Sequence, residues 1–130
     1  AEFIADKKLN GINIYTFIKE IDIAYATADV IISRAGAIAI SELCCIGKPV
    51  ILVPSPNVSE NHQYKNAQSL VNKNAALIVE DKEANCKLVD KLIELLRNET
   101  LKASLSSNIR KIAVKDAADR IVTAALDLVK

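Results

Sequence analysis

Two short runs made wholly of apolar residues, Val30-Ile31-Ile32 and Val50-Ile51-Leu52-Val53, restrict the fold of this chain more than any other feature. Each is too short for a core helix and too uniformly apolar for a strand with one wet face. Both therefore read as strands buried on two faces, as in a parallel sheet. Between them lies a helix-length segment, Ala37 to Ile46, stopped by Gly47 and followed by Pro49. Strand, helix, strand in that order is the right-handed crossover that parallel strands require.

The same alternation extends to either side. Ile12-Asn13-Ile14-Tyr15-Thr16 reads as a short strand and Ile21 to Ala28 as a helix. Pro54 and Pro56 halt the second apolar run, and a loop from Ser55 to Glu60 leads into a helix from about Asn61 to Lys73, with Ser59 and Asn61 as candidate N-caps. Ala75 to Val79 reads as a fourth strand. Three helices follow, over Lys87 to Arg97, Thr100 to Val114 and Ala117 to Lys130. The expectation is an α/β layered fold with a parallel sheet. The loops after Thr16, Ser33, Val53 and Val79 then share the carboxyl rim of the strands, where ligands of such sheets bind.

At 130 residues the chain fits one domain with a real core. Its formal net charge is +1 and its 17 Lys and Arg form no basic tract, which argues against nucleic acid as a partner. No stretch approaches the roughly 18 consecutive apolar residues of a membrane span, and no leader pattern is visible. Cys44, Cys45 and Cys86 are odd in number and lack metal-ligand spacing, so they read as small hydrophobes in a reducing compartment, with no metal and no cofactor expected. The chain has no Met and starts Ala1-Glu2-Phe3-Ile4, so it reads as a piece of a longer protein.

Two polar clusters fall on the expected rim. In the first, Ser33-Arg34-Ala35-Gly36-Ala37-Ile38-Ala39-Ile40-Ser41-Glu42, a glycine turn feeds a helix start. Backbone N–H groups there lack intrahelical partners and attract anions and hydroxyl oxygens. Glu42 carries the one charge between Ala35 and Gly47. It is either a solvated helix carboxylate or an acceptor for two adjacent hydroxyls, such as a ribose diol. Arg34 serves a phosphate or a structural carboxylate, and Gly36 permits a tight turn or the close approach of a ligand.

In the second cluster, His62-Gln63-Tyr64-Lys65-Asn66, Gln63 and Asn66 stand three apart on a helix and face one way. A primary amide offers both donor and acceptor, which suits vicinal sugar hydroxyls; the plain alternative is a helix start with exposed polar residues. No nucleophile, base and orienter can be assembled around His62, the one histidine, so no catalytic residue is assigned.

Phe17-Ile18, Ala28 through Ala37, Ser41-Glu42, Gly47-Lys48-Pro49-Val50-Ile51-Leu52-Val53-Pro54 and His62-Gln63-Tyr64-Lys65-Asn66-Ala67 together, in order and spacing, resemble the MurG glycosyltransferases. The match covers about Ile12 to Val79, and the helical tail loosely. The resemblance implies a Rossmann-like parallel sheet with flanking helices, part of the C-terminal nucleotide-sugar-binding domain of a GT-B enzyme. Residues 1–130 would lack that domain's first strand and phosphate loop and the whole N-terminal acceptor domain. It implies an inverting transfer of N-acetylglucosamine from UDP-GlcNAc to the muramoyl sugar of lipid I, giving lipid II at the cytoplasmic membrane face, with the enzyme peripheral to it.

Carried over by position, the backbone of Ile18 matches the group that pairs with uracil, and Glu42 the carboxylate on the ribose hydroxyls. The amides of Ala37, Ile38 and Ala39, after Gly36, match the helix start near sugar and diphosphate. Gln63, with Asn66 near it, matches the amide that reads the GlcNAc hydroxyls. His62 stands where many relatives carry another glutamine. The piece alone is expected to be inactive. Two other functions remain open on the sequence: another GT-B transferase, such as a glycolipid synthase using UDP-glucose or UDP-galactose, and a non-catalytic nucleotide-sugar-binding subunit of a split transferase.

Overall fold

The computed structural model describes residues 11–56 and 61–129. In chain order these form α1 (Ile21–Thr27), β1 (Ile31–Ser33), α2 (Ala37–Ile46), β2 (Val50–Leu52), α3 (His62–Val71) and β3 (Leu77–Ile78). A short 3-10 turn, Asp81–Glu83, then leads to α4 (Ala84–Arg97), α5 (Glu99–Arg110) and α6 (Ala117–Asp127). The three strands are parallel in the order β1-β2-β3, with Ile31 opposite Val50, Ile32 opposite Ile51 and Ile51 opposite Leu77. The expected α/β layered architecture is present.

The central strand β2 is buried on both faces because its side chains alternate between two cores. Val50 and Leu52 join Ile31 beneath Leu43 and Cys44 of α2, Ala67 and Leu70 of α3, and Ile109 of α5. Ile51 joins Val53 and Val79 against Leu95 of α4 and Leu105 of α5. At the far end of α2, Gly47 adopts a left-handed conformation (φ 69°), and its N–H donates to Leu43 O at 2.9 Å. The carbonyl of Gly47 in turn accepts from Ser106 Oγ and Arg110 Nε, which fastens the α2–β2 corner to α5.

Three expectations need correction. Ile12 to Thr16 is not a strand: residues 11–20 are irregular and exposed, and no neighbouring strand pairs with them among the described residues. A strand exists only through a partner, which the alternating sequence does not supply. Secondly, β1 is not buried on both faces. Ile31 is covered but Ile32 is 41% exposed, because β1 pairs on one side only among the described residues and α4 covers the sheet over β2 and β3. Thirdly, Asn61 adopts a left-handed conformation (φ 57°) and places no side-chain cap on α3. Ser59, the other candidate cap, lies outside the described residues, as does Lys130 at the end of the last predicted helix.

Candidate functional site

The carboxyl ends of β1, β2 and β3 meet at one rim, and Arg34 crosses it. Its guanidinium donates to Val53 O at 3.2 Å and pairs with the carboxylate of Asp81, so one side chain spans the ends of all three strands. Of the two uses open to Arg34, the structure records the structural carboxylate. Asp81 was not singled out from the sequence. The available signal was its place: it stands two residues after the run Ala75 to Val79 as Arg34 stands two residues after Val30-Ile31-Ile32, and parallel strands put such positions side by side.

Beside Arg34 the chain turns through Ala35 and Gly36 into α2. The first intrahelical bond runs from Ile40 N to Gly36 O at 2.9 Å, so the N–H groups of Ala37, Ile38 and Ala39 have no acceptor within the helix. No side chain caps this end and no acidic residue occupies its first turn. The positive end of the helix dipole is left uncompensated. Ile38 is 78% exposed, so water or a ligand reaches these amides freely.

Glu42 stands four residues after Ile38, on the same exposed face of α2. Helical side chains lean toward the N-terminus, here the side of the turn that carries the free amides. It makes no hydrogen bond or ion pair among the described residues, in contrast to Arg34 nearby. The geometry therefore offers a cluster of anion-binding N–H groups and, one turn on, an unengaged double acceptor.

The second cluster meets the first through backbone contacts. Gln63 Oε1 accepts two hydrogen bonds, from Ala35 N at 3.2 Å and from Ser55 N at 2.9 Å. Asn66 Nδ2 donates to Ala35 O at 3.1 Å. Ala35, wholly buried, is thus held through both its N–H and its C=O by side chains of α3. The spacing argument correctly put Gln63 and Asn66 on one face. It did not foresee that the face would meet the protein's own backbone. Ser55 also escaped notice, since a backbone N–H has no sequence signature.

His62 opens α3 and is exposed. Ile18 lies in the irregular stretch before α1, 40% exposed, and no hydrogen bond among the described residues links it to α2 or α3. A concavity of about 360 Å³ is lined by Pro54, Ser55 and Tyr64, with Asp81 beside them. Of the three thiols, Cys44 is buried and pushed above the usual thiol range, first by loss of water around it and then by the neighbouring Cys45 thiol. Cys45 and Cys86 are free and exposed, so the small-hydrophobe reading holds for Cys44 alone.

Residues 2–121 match the model of the glycosyltransferase family 28 C-terminal domain. The chain belongs to this family. Over 106 residues it is 52% identical to a UDP-N-acetylglucosamine--N-acetylmuramyl-(pentapeptide) pyrophosphoryl-undecaprenol N-acetylglucosamine transferase of Parabacteroides distasonis, covering 82% of this chain and 29% of that protein. A protein of the same name from Phocaeicola vulgatus is 55% identical over 115 residues, covering 88% of this chain and 30% of the relative. Among solved structures, Acinetobacter baumannii MurG superposes with a TM-score of 0.79 at 30% identity, over 92% of this chain and 35% of that one.

The chain thus spans about three tenths of the length of these curated relatives. Its sheet and flanking helices are those of the C-terminal, Rossmann-like domain of a GT-B transferase. Within such a family 28 domain, the bare α2 start and the two rim-bound amides sit at the carboxyl ends of the strands, the edge at which parallel α/β sheets bind their ligands.

Proposed function

We propose that this chain is the donor-binding part of a transferase that moves N-acetylglucosamine from UDP-GlcNAc to the muramoyl sugar of lipid I, yielding lipid II. The observation that carries the reading is the start of α2, where among the described residues three backbone N–H groups have no acceptor and Glu42 nearby has no partner. The names of the relatives, about half identical over most of this chain, support the donor and the acceptor.

In this reading the diphosphate of UDP-GlcNAc lies against the amides of Ala37, Ile38 and Ala39, and Gly36 lets it approach closely. Glu42 accepts from both ribose hydroxyls, a charge-assisted pair. The backbone of Ile18 receives the uracil, and His62 stands at the sugar end. Gln63 and Asn66 frame the site from α3. The acceptor attacks the anomeric carbon from the face opposite the diphosphate, and UDP leaves with inversion. Negative charge grows on the leaving diphosphate as the bond breaks, so preorganised N–H groups at a helix start stabilise the transition state more than the ground state. The attacking hydroxyl belongs to the acceptor sugar; a facing domain holds that acceptor and supplies the base, at the cytoplasmic surface of the membrane.

Glu42→Ala tests this directly. Removing hydrogen bonds to a charged acceptor should weaken UDP-GlcNAc binding by about 1.5–3 kcal/mol, read by calorimetry on a full-length transferase carrying these residues. An affinity equal to the parent's would make Glu42 a solvated side chain and remove the ribose from the proposal. The same titration with UDP-glucose and UDP-galactose separates a GlcNAc enzyme from a glycolipid synthase.

A further inference from the structure

The corner that ends α2 also holds the end of α1, and this carries an inference that rests on the donor-site reading and deepens it. Among the described residues, one hydrogen bond ties residues 11–28 to the rest of the molecule: Lys48 Nζ donates to Ala26 O at 2.9 Å. No ion pair among the described residues reaches that stretch, and of its apolar side chains Tyr25 and Ala28 pack against the core under α2 and α3. α1 has seven residues, none of them buried, and no basic residue in its last turn. A helix that short is marginal by itself, and its last carbonyls favour a cation. Thr27 Oγ1 donates to Ile23 O and Ala24 O, and Lys48 supplies the missing charge from another element.

The lysine springs from a fixed base. On one side of it Gly47, in its left-handed turn, has its carbonyl held by Ser106 and Arg110 of α5. On the other, Pro49 is buried and its carbonyl accepts from Ile31 N at 2.9 Å. α2 therefore ends, and α1 is caught, within two consecutive residues. Ile18, proposed to pair with uracil, stands three residues before α1. The amides and Glu42, proposed to hold the diphosphate and the ribose, stand on α2. The corner thereby sets the spacing between the base end and the diphosphate end of the site. We infer that Lys48 is a positioning residue for base recognition: it fixes α1, and with it Ile18, relative to α2.

A positioning role and a general structural one differ in what they do to selectivity. Uracil presents a donor at N3 and an acceptor at O4, whereas cytosine presents an acceptor at N3 and a donor at N4. Backbone groups placed to pair with uracil reject cytosine because their own hydrogen bonds are then left unmade. Diphosphate and ribose are common to UDP and CDP. Two variants serve, in a full-length transferase carrying these residues. Lys48→Met keeps the aliphatic stem and removes the donor; Lys48→Arg keeps a cationic donor for Ala26 O.

In Lys48→Met the affinity for UDP should fall by roughly two- to tenfold, the range of one net hydrogen bond, with that for CDP unchanged. The preference for UDP narrows by the same factor, and Lys48→Arg should restore it. Hydrogen exchange of the Ala24 and Ala28 amides, which bond within and at the end of α1, should accelerate in Lys48→Met, while that of Gly47, which closes α2, stays slow. An equal loss of UDP and CDP overturns the inference, since it marks a fold-wide effect or a direct contact of Lys48 with phosphate. An unchanged preference overturns it too, as does α1 exchange equal to the parent's. Should the parent bind neither nucleotide, the donor-site reading fails, and α1 exchange alone then decides whether Lys48 holds the segment.

Discussion

Leu52 and Ile121 are both branched apolar residues inside regular elements, yet Leu52 is wholly buried and Ile121 is 69% exposed. Leu52 sits in β2, with α2 and α3 over it and a strand on either side. Ile121 sits in α6, no residue of which is buried. Val122 and Leu126 share its exposure. The difference teaches that an amphipathic pattern specifies a face and not its cover. A helix and a strand can each be apolar in the right places; burial follows only where other elements arrive on that side.

The comparison can be broken most forcefully at β2. Leu52→Ala empties space between a sheet and two helices, and unfolding by urea should show a loss of about 2–5 kcal/mol. A loss under 1 kcal/mol would mean the centre of the sheet is no better packed than its margins. Next in size is Gly47→Ala. The left-handed conformation disfavours any side chain, and a Cβ there would run into the side chain of Arg110. About 1–2 kcal/mol should be lost, the cost of a left-handed residue with a Cβ, and truncating Arg110 in the same protein should recover part of it.

Cys44 and Cys45 reproduce the contrast within two adjacent residues. The buried thiol of Cys44, held above its usual range, should react with iodoacetamide far more slowly at neutral pH than Cys45 or Cys86, since the thiolate is the nucleophile. A folded pKa raised above the unfolded one adds stability below the unfolded value, and that contribution is lost as the pH rises through the folded value. Peptide mass mapping after brief labelling distinguishes the three sites. Equal labelling would show that α2 opens readily. The smallest effect belongs to Ile121→Ala, which should shift stability by no more than about 0.5 kcal/mol as an exposed substitution. A larger loss in this chain would mean that α6 is covered after all.

Much of the centre was legible in the sequence. The run Val50 to Val53 announced a two-faced strand through its composition, Gly47 announced the end of α2, and Gly36 followed by an uncharged first turn announced a bare helix start. Those signals are local, fixed by backbone sterics and by the hydrophobicity of consecutive residues. Ile12 to Thr16 carried a strand-like alternation too, but a strand needs a neighbour and none of the described residues provides one.

The candidate polar groups were readable from spacing along the chain: an acidic group just over one turn into α2, and two amides three apart on α3. What those amides do depended on the tertiary structure. Residues 28 positions apart, Ala35 and Gln63, meet only because parallel strands bring their carboxyl ends to one rim. There a side-chain oxygen that the sequence would give to a ligand is taken by the backbone, since the N–H of the wholly buried Ala35 cannot be left unpaired. Likewise Arg34 finds Asp81 across the sheet. Local chemistry supplied the parts of the site, and the topology of the sheet decided which of them face outward.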